Sequence, residues 1–187
     1  MTLEVHPVTA DRWKDLTRLF GPNGATSGCW CMWWRQTSAE YDRDHGEPNR
    51  RALKRLVDRG RVPGLLAYRD GEPVGWVSVA PRDEFGRLDR SPVLGRVDDR
   101  PVWSVVCFYI PRQHRRGGVG EALLRAAVDH AASRGAGIVE GYPVATADGK
   151  VPGASIYTGV VSMFRRAGFR EVERRSEKRP IMRWVAR

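Results

Sequence analysis

The chain of 187 residues suits one domain with a proper core, and residues 1–187 are expected to form a single one. It is 41% hydrophobic and 29% charged, as ordinary soluble proteins are, and no apolar run reaches the ~18 residues that a membrane-spanning helix needs. The net charge of +10 and pI of ≈ 10.2 favour an anionic partner, but no zinc finger or RNA-binding aromatic signature appears, so nucleic acid is disfavoured rather than excluded.

The amino terminus lacks the basic then apolar pattern of a secretory signal, which predicts a cytoplasmic protein. Leu3 to Val8 reads as a short strand. Thr9 is placed to cap a helix over Ala10 to Phe20, with Trp13, Leu16 and Leu19 or Phe20 on one face, stopped by Gly21-Pro22-Asn23-Gly24. A loop follows with the run Gly28-Cys29-Trp30-Cys31-Met32-Trp33-Trp34. Three cysteines is an odd number, which argues against a disulfide framework. Cys29 and Cys31 are too close for a usual zinc pair and only Cys107 is left to join them, so free thiols and no metal are expected.

Ser38 opens a second helical stretch that breaks near Gly46 to Pro48 and resumes through Arg50 to Arg59, with Ala52, Leu53, Leu56 and Val57 on one face. Gly64 to Arg69 and Val74 to Ala80 read as strands joined by an Asp70-Gly71 turn. Pro81 to Arg100 is polar and is expected to be irregular. Val102 to Ile110 is nearly continuous in apolar residues, so it should lie centrally in a sheet covered on both faces. A helix over Gly118 to Arg134 places Leu124, Ala127, Val128 and Ala131 at core spacing and stops at Gly135. Gly137 to Val144 is the next strand. Ala154 to Ala167 reads as a helix ended by Gly168, before strands over Phe169 to Arg174 and Arg179 to Val185. This order makes a mixed α/β layer fold.

The segment from Tyr109 to Gly120 runs from a buried strand into a glycine-dense loop and then a long helix. Glycines let backbone amides approach a ligand, and the free amides and dipole of the helix start favour phosphate. Arg115 and Arg116 add charge-assisted bonds. A plain tight turn is the alternative. The loop reads Arg-x-x-Gly-x-Gly over Arg115, Gly118 and Gly120, with neither the Gly-Lys-Ser/Thr of a Walker loop nor a dinucleotide Gly-x-Gly-x-x-Gly. It resembles the acyl-CoA signature of the GNAT superfamily of N-acyltransferases, as do the element order and the closing Gly168-Phe169.

That resemblance implies a mostly antiparallel central sheet flanked by helices, with two splayed central strands, and acetyl-CoA or another acyl-CoA as co-substrate. It implies pantetheine contacts at Phe108, Tyr109 and Ile110, and pyrophosphate contacts at Arg115, Arg116, Gly117, Gly118, Val119 and Gly120. The acyl group would pass by direct attack to an amine, here of a small molecule. Acceptors on proteins, charged transfer RNA as donor and a non-catalytic acyl-CoA sensor are the alternatives, and a homodimer is compatible with each. The tyrosine that family members often use as general acid, five residues before the Gly-Phe phenylalanine, is replaced by Phe164. Tyr157 and Tyr142 are the remaining candidate acids. Glu140, Cys107 and His114 are considered as bases, nucleophile or phosphate neighbours. Trp30 and Trp33 are candidate substrate-wall residues and Trp34 a core residue, because neighbours in an extended segment point to opposite sides; plain core filling is the competing reading of the cluster.

Overall fold

The apolar and amphipathic runs become strands and helices in the computed structural model, which describes residues 3–146 and 157–186. Strand β1 (Leu3–Pro7) leads through a 3-10 turn at Ala10–Arg12 into α1 (Trp13–Phe20), followed by α2 (Ser38–Asp44) and α3 (Glu47–Asp58). The hairpin of β2 (Gly64–Arg69) and β3 (Glu72–Pro81) precedes a short helix α4 (Gly86–Asp89) and the strand β4 (Trp103–Tyr109). Then come α5 (Val119–Ser133), β5 (Ile138–Gly141), α6 (Val161–Arg166), β6 (Arg170–Arg174) and β7 (Pro180–Val185).

These strands form one seven-stranded sheet in the order β1-β2-β3-β4-β5-β7-β6. Only β4 and β5 run parallel; every other pair is antiparallel. The parallel pair is short, matching Trp103–Val105 with Val139–Gly141, and β4 continues through Tyr109 without β5 beside it. The two central strands therefore part halfway along β4, as the splayed-strand expectation requires. On one face of the sheet, Leu123, Leu124 and Ala127 of α5 pack with Val77, Val105 and Val139. On the other, Leu16, Phe20, Leu53 and Val57 from α1 and α3 pack with Leu66 and Trp76. Burial of these apolar side chains, worth ~1.5–3 kcal/mol each, holds the layers together.

Several boundaries differ from the sequence reading for local reasons. Thr9 makes no side-chain cap bond, and the first helix opens as a 3-10 turn. The second helix is capped by Thr37 rather than Ser38: Thr37 and Glu40 form a reciprocal capping box. The break falls at His45 and Gly46, and Pro48 sits in the first turn of α3, where its missing N–H costs nothing. The stretch Pro81 to Arg100 is more ordered than expected, burying Phe85, Leu88 and Leu94 around α4. Strand β5 stops at Gly141, although Val144 still bridges Val160. Residues 154–156 of the expected long helix lie outside the described residues. The described helix begins only at Val161, since Gly159 at φ 83 breaks a right-handed path.

Candidate functional site

The chain leaves β4 through a 3-10 turn at Arg112–His114 and enters α5 at Gly118, its N-cap. Gly118 lies in the left-handed region at φ 76, and so does Arg116 at φ 64, where a residue with a Cβ is strained by ~1–2 kcal/mol. Left-handed residues in such a turn gather successive amides into an anion-binding concavity. None of the backbone N–H groups from Arg116 through Glu121 has a backbone acceptor among the described residues. Arg115 and Arg116 are exposed beside them, and Arg69 Nη2 donates to the Gly117 carbonyl at 3.1 Å. A pyrophosphate needs several donors and positive charge, and these unpaired amides, the helix start and the guanidinium groups fit it. Val119 offers only its backbone, because its side chain is 1% exposed in the core.

A cleft of about 830 Å³ joins this cradle to the tryptophan loop. Arg115 and Gly120 line it, then Phe108, Tyr109 and Ile110 of β4, then Tyr157, and finally Trp33, Trp34 and Tyr41. All three cysteines border it. Its wall is mostly apolar, and Arg115 carries the only charged side chain among the described lining residues. Beyond the end of β5 the Phe108 N–H donates to the Tyr157 carbonyl. The Ile110 N–H has no acceptor among the described residues, while Arg115 Nε donates to the Ile110 carbonyl at 2.8 Å.

Two of the catalytic candidates sit elsewhere. Glu140 and Tyr142 are both 0% exposed and do not line the cleft. Tyr142 Oη donates to Glu140 Oε1 at 2.7 Å, accepts from Arg82 Nη1 at 2.7 Å and lies 2.8 Å from Ser104 Oγ. Glu140 Oε2 accepts from Arg183 Nε at 2.7 Å, and Arg183 also donates to Asp98. A buried carboxylate survives only when paired and hydrogen-bonded. Glu140, expected among the catalytic residues, meets that need by tying β5 to β7 and to the segment after β3, away from the cleft. Burial first, and then the Glu140 charge, push the Tyr142 phenol well above its ordinary range.

Tyr157 does reach the cleft. On one continuous helix it would stand about 10 Å along the axis from position 164. It lies instead in a turn ahead of α6, which brings it beside Trp34 with ring centroids 6.4 Å apart. Burial raises its phenol above the usual range and the nearby Arg179 lowers it in part. Phe164 is 0% exposed, edge-on to Phe169 and Phe108, so it serves the core. His114 belongs to the turn before the cradle and does not line the cleft.

The tryptophan loop is not an extended segment. Trp30 and Cys31 have φ of 46 and 52, and tight turns close at Met32 N to Cys29 O and Arg35 N to Met32 O. Alternation therefore fails as a guide there. Trp30, expected in the substrate wall, is 5% exposed, stacked on Trp13 and tilted against Phe20. It is a core residue. Trp33 lines the cleft with the Arg87 guanidinium 3.6 Å over its ring. Trp34 is 6% exposed yet also borders the cleft, and its Nε1 has no partner among the described residues. Sequence reasoning missed Arg69, Tyr41 and Met163, which lie far from the loop motif and carry no periodic signal. It also gave no sign that the three cysteines would converge.

The family model described as the acetyltransferase (GNAT) family matches residues 28–147. Among curated proteins, none matches the sequence. Several solved structures share the fold. The PaiA N-acetyltransferase of Thermoplasma acidophilum, in complex with coenzyme A, is 12% identical over 100% of both chains, with a TM-score of 0.55. The ribosomal-protein-alanine N-acetyltransferase of Brucella melitensis is 18% identical over 98% of this chain and 99% of that one, with a TM-score of 0.56. An N-acetyltransferase of Staphylococcus aureus Mu50 is 11% identical over 99% of each, also at 0.56.

Proposed function

Because the chain belongs to the GNAT acetyltransferase family, and is thereby an N-acyltransferase that draws on acetyl-CoA, we propose that it acetylates the amine of a small molecule with a flat, apolar body. One observation carries this reading: a single cleft joins an anion cradle to an aromatic wall. In this proposal the amides of Arg116 through Gly120, with the Arg115 and Arg116 side chains, hold the pyrophosphate. The free edge of β4 at Phe108–Ile110 takes the pantetheine arm, with the Ile110 N–H as the available donor. Trp33, Trp34 and Tyr41 hold the acceptor, which their flat faces suit and which meets little charge. Tyr157 supplies the proton for the departing CoA sulfur.

The single-domain reading of residues 1–187 is part of the same proposal. So is a cytoplasmic location, where unpaired thiols such as Cys29, Cys31 and Cys107 stay reduced. The test is calorimetry with CoA followed by thiol release across a panel of aromatic, alkyl and peptide amines. Fastest turnover with flat apolar amines supports the reading. Preference for a peptide amino terminus would move the acceptor to proteins, and CoA binding without turnover on any amine would make the chain a sensor.

A further inference from the structure

A second hollow, of about 390 Å³, shares no lining residue with the cleft. One face of α3 and the residue after it give it Arg55 and Arg59, one helical turn apart, and Arg61 follows just beyond. Arg35 enters from the tryptophan loop and Glu84 from the 3-10 turn Arg82–Glu84. Glu84 is already engaged: its Oε2 accepts from Arg35 Nη1 at 2.6 Å and its Oε1 from Arg61 Nη2 at 2.7 Å. Elsewhere on α3, Arg50 and Lys54 pair with Glu47 and Asp58, whereas Arg55 and Arg59 have no carboxylate partner among the described residues. Four guanidinium groups thus face one carboxylate. The negative end of α3 offsets about half a unit charge, so the hollow stays cationic. The Arg35 side chain is 8% exposed, and its Nη2 has no acceptor among the described residues. A buried charged donor without a partner is costly, and an anion in the hollow relieves it. Met32, Ala52 and Leu56 complete the lining with apolar surface, and the volume lies within the roughly 300–1,000 Å³ of small-molecule sites.

We propose that this hollow binds a phosphate group, free or carried on a small molecule, and that its occupancy is felt at the tryptophan wall of the cleft. A phosphate offers the oxygens that planar guanidinium forks recognise two at a time. The link to the cleft is short. Met32 and Arg35, which line the hollow, are the two ends of one turn, closed by the Arg35 N–H donating to the Met32 carbonyl at 3.0 Å. Trp33 and Trp34, its two middle residues, line the cleft. The Arg35 guanidinium also lies 4.7 Å over the Phe85 ring, and Phe85 packs in the same buried cluster as Trp34. An anion that draws on Arg35 therefore pulls on the turn that carries the wall. By linkage, a molecule bound in the cleft changes the affinity for the anion by the same factor. The use of that wall for an acceptor amine rests on the acetyltransferase reading above; the anion site does not.

The full chain, saturated with CoA so that the cradle is filled, is titrated by calorimetry with inorganic phosphate, glucose 6-phosphate and glucose. The expected result is one site for the two phosphates and none for glucose, the tighter of the two naming the source of the group. The double variant Arg55→Ala, Arg59→Ala changes two exposed side chains and should weaken phosphate binding by about tenfold or more, as loss of a charge-assisted bond does. Its CoA affinity should be unchanged and its melting temperature no lower. Indole N–H resonances, assigned with Trp33→Phe and Trp34→Phe, should move for Trp33 and Trp34 on adding phosphate. Those of Trp103 and Trp184, which pack with the α5 cluster, should not. No phosphate binding, binding undiminished in the double variant, or binding that leaves Trp33 and Trp34 unmoved overturns the proposal. A chain that does not bind CoA overturns the acetyltransferase reading alone, and the same titration of the free chain and the double variant still decides this site.

Discussion

The backbone N–H of Phe108 is bonded to the carbonyl of Tyr157, which occupies the gap left where β5 ends. Two positions further on, the Ile110 amide has no acceptor among the described residues. Hydrogen exchange should therefore find Phe108 protected with and without CoA, and Ile110 protected only when CoA is bound. Protection gained at Phe108 instead would mean that the Tyr157 bond does not hold in the free protein and that the pantetheine arm supplies the acceptor.

Tyr157 borders the cleft from a turn rather than from a helix. Tyr157→Phe keeps the ring and the carbonyl contact and removes only the phenolic proton. The turnover rate should fall by ~10² to 10⁴, the usual contribution of a general acid, with CoA affinity unchanged. Wild-type turnover in this variant would assign leaving-group protonation to solvent.

Glu140 and Tyr142 should behave as structural residues. Glu140→Gln removes the charge that Arg82 and Arg183 share while each keeps a second carboxylate, Asp89 and Asp98, a change expected to destabilise by about 1–3 kcal/mol. Tyr142→Phe removes the hydroxyl that links Arg82, Ser104 and Glu140, at about 1–3 kcal/mol. Both effects should appear as a lower melting temperature, with turnover at a permissive temperature unchanged. A large loss of turnover at full stability in either variant would return that residue to the chemistry.

The tryptophans separate in the same way. Trp30→Ala should cost about 3–5 kcal/mol, as truncation of a buried aromatic does, and leave the acceptor KM alone. Trp33→Ala should melt close to wild type and raise the acceptor KM, because its ring borders the cleft. Matched destabilisation of both, with no change in KM, would make the whole cluster packing.

Much of this layout is legible in the sequence where local chemistry decides it. Asp70-Gly71 sets its hairpin, the apolar run around Val105 sets the central strand, and Arg115 to Gly120 mark the cradle. Where burial is two-sided, the signal vanishes. All four residues of β5 are buried, so no alternation shows that Glu140 faces arginines rather than a ligand. Its partners Arg82 and Arg183 lie 58 and 43 residues away, and only the folded sheet gathers them. The tryptophan loop misleads for another reason: the left-handed positions Trp30 and Cys31 are not glycines, so nothing at those residues announces the turn. The placement of Tyr157 turns on Gly159, whose left-handed backbone interrupts the helix expected over Ala154 to Ala167.

The central claim, that the loop before α5 binds the CoA pyrophosphate, is tested most directly by CoA calorimetry on Gly118→Asp. An added Cβ at Gly118 meets nothing within 4 Å, so the fold should bear the change at about 1 kcal/mol for the left-handed backbone. Gly118→Ala controls for that backbone cost. The aspartate brings a negative charge to the anion site, and loss of about 3 kcal/mol in binding corresponds to more than a hundredfold weaker affinity. The account predicts that fall in Gly118→Asp, at a near wild-type melting temperature, and a much smaller one in Gly118→Ala. Unchanged CoA affinity in folded Gly118→Asp would contradict it.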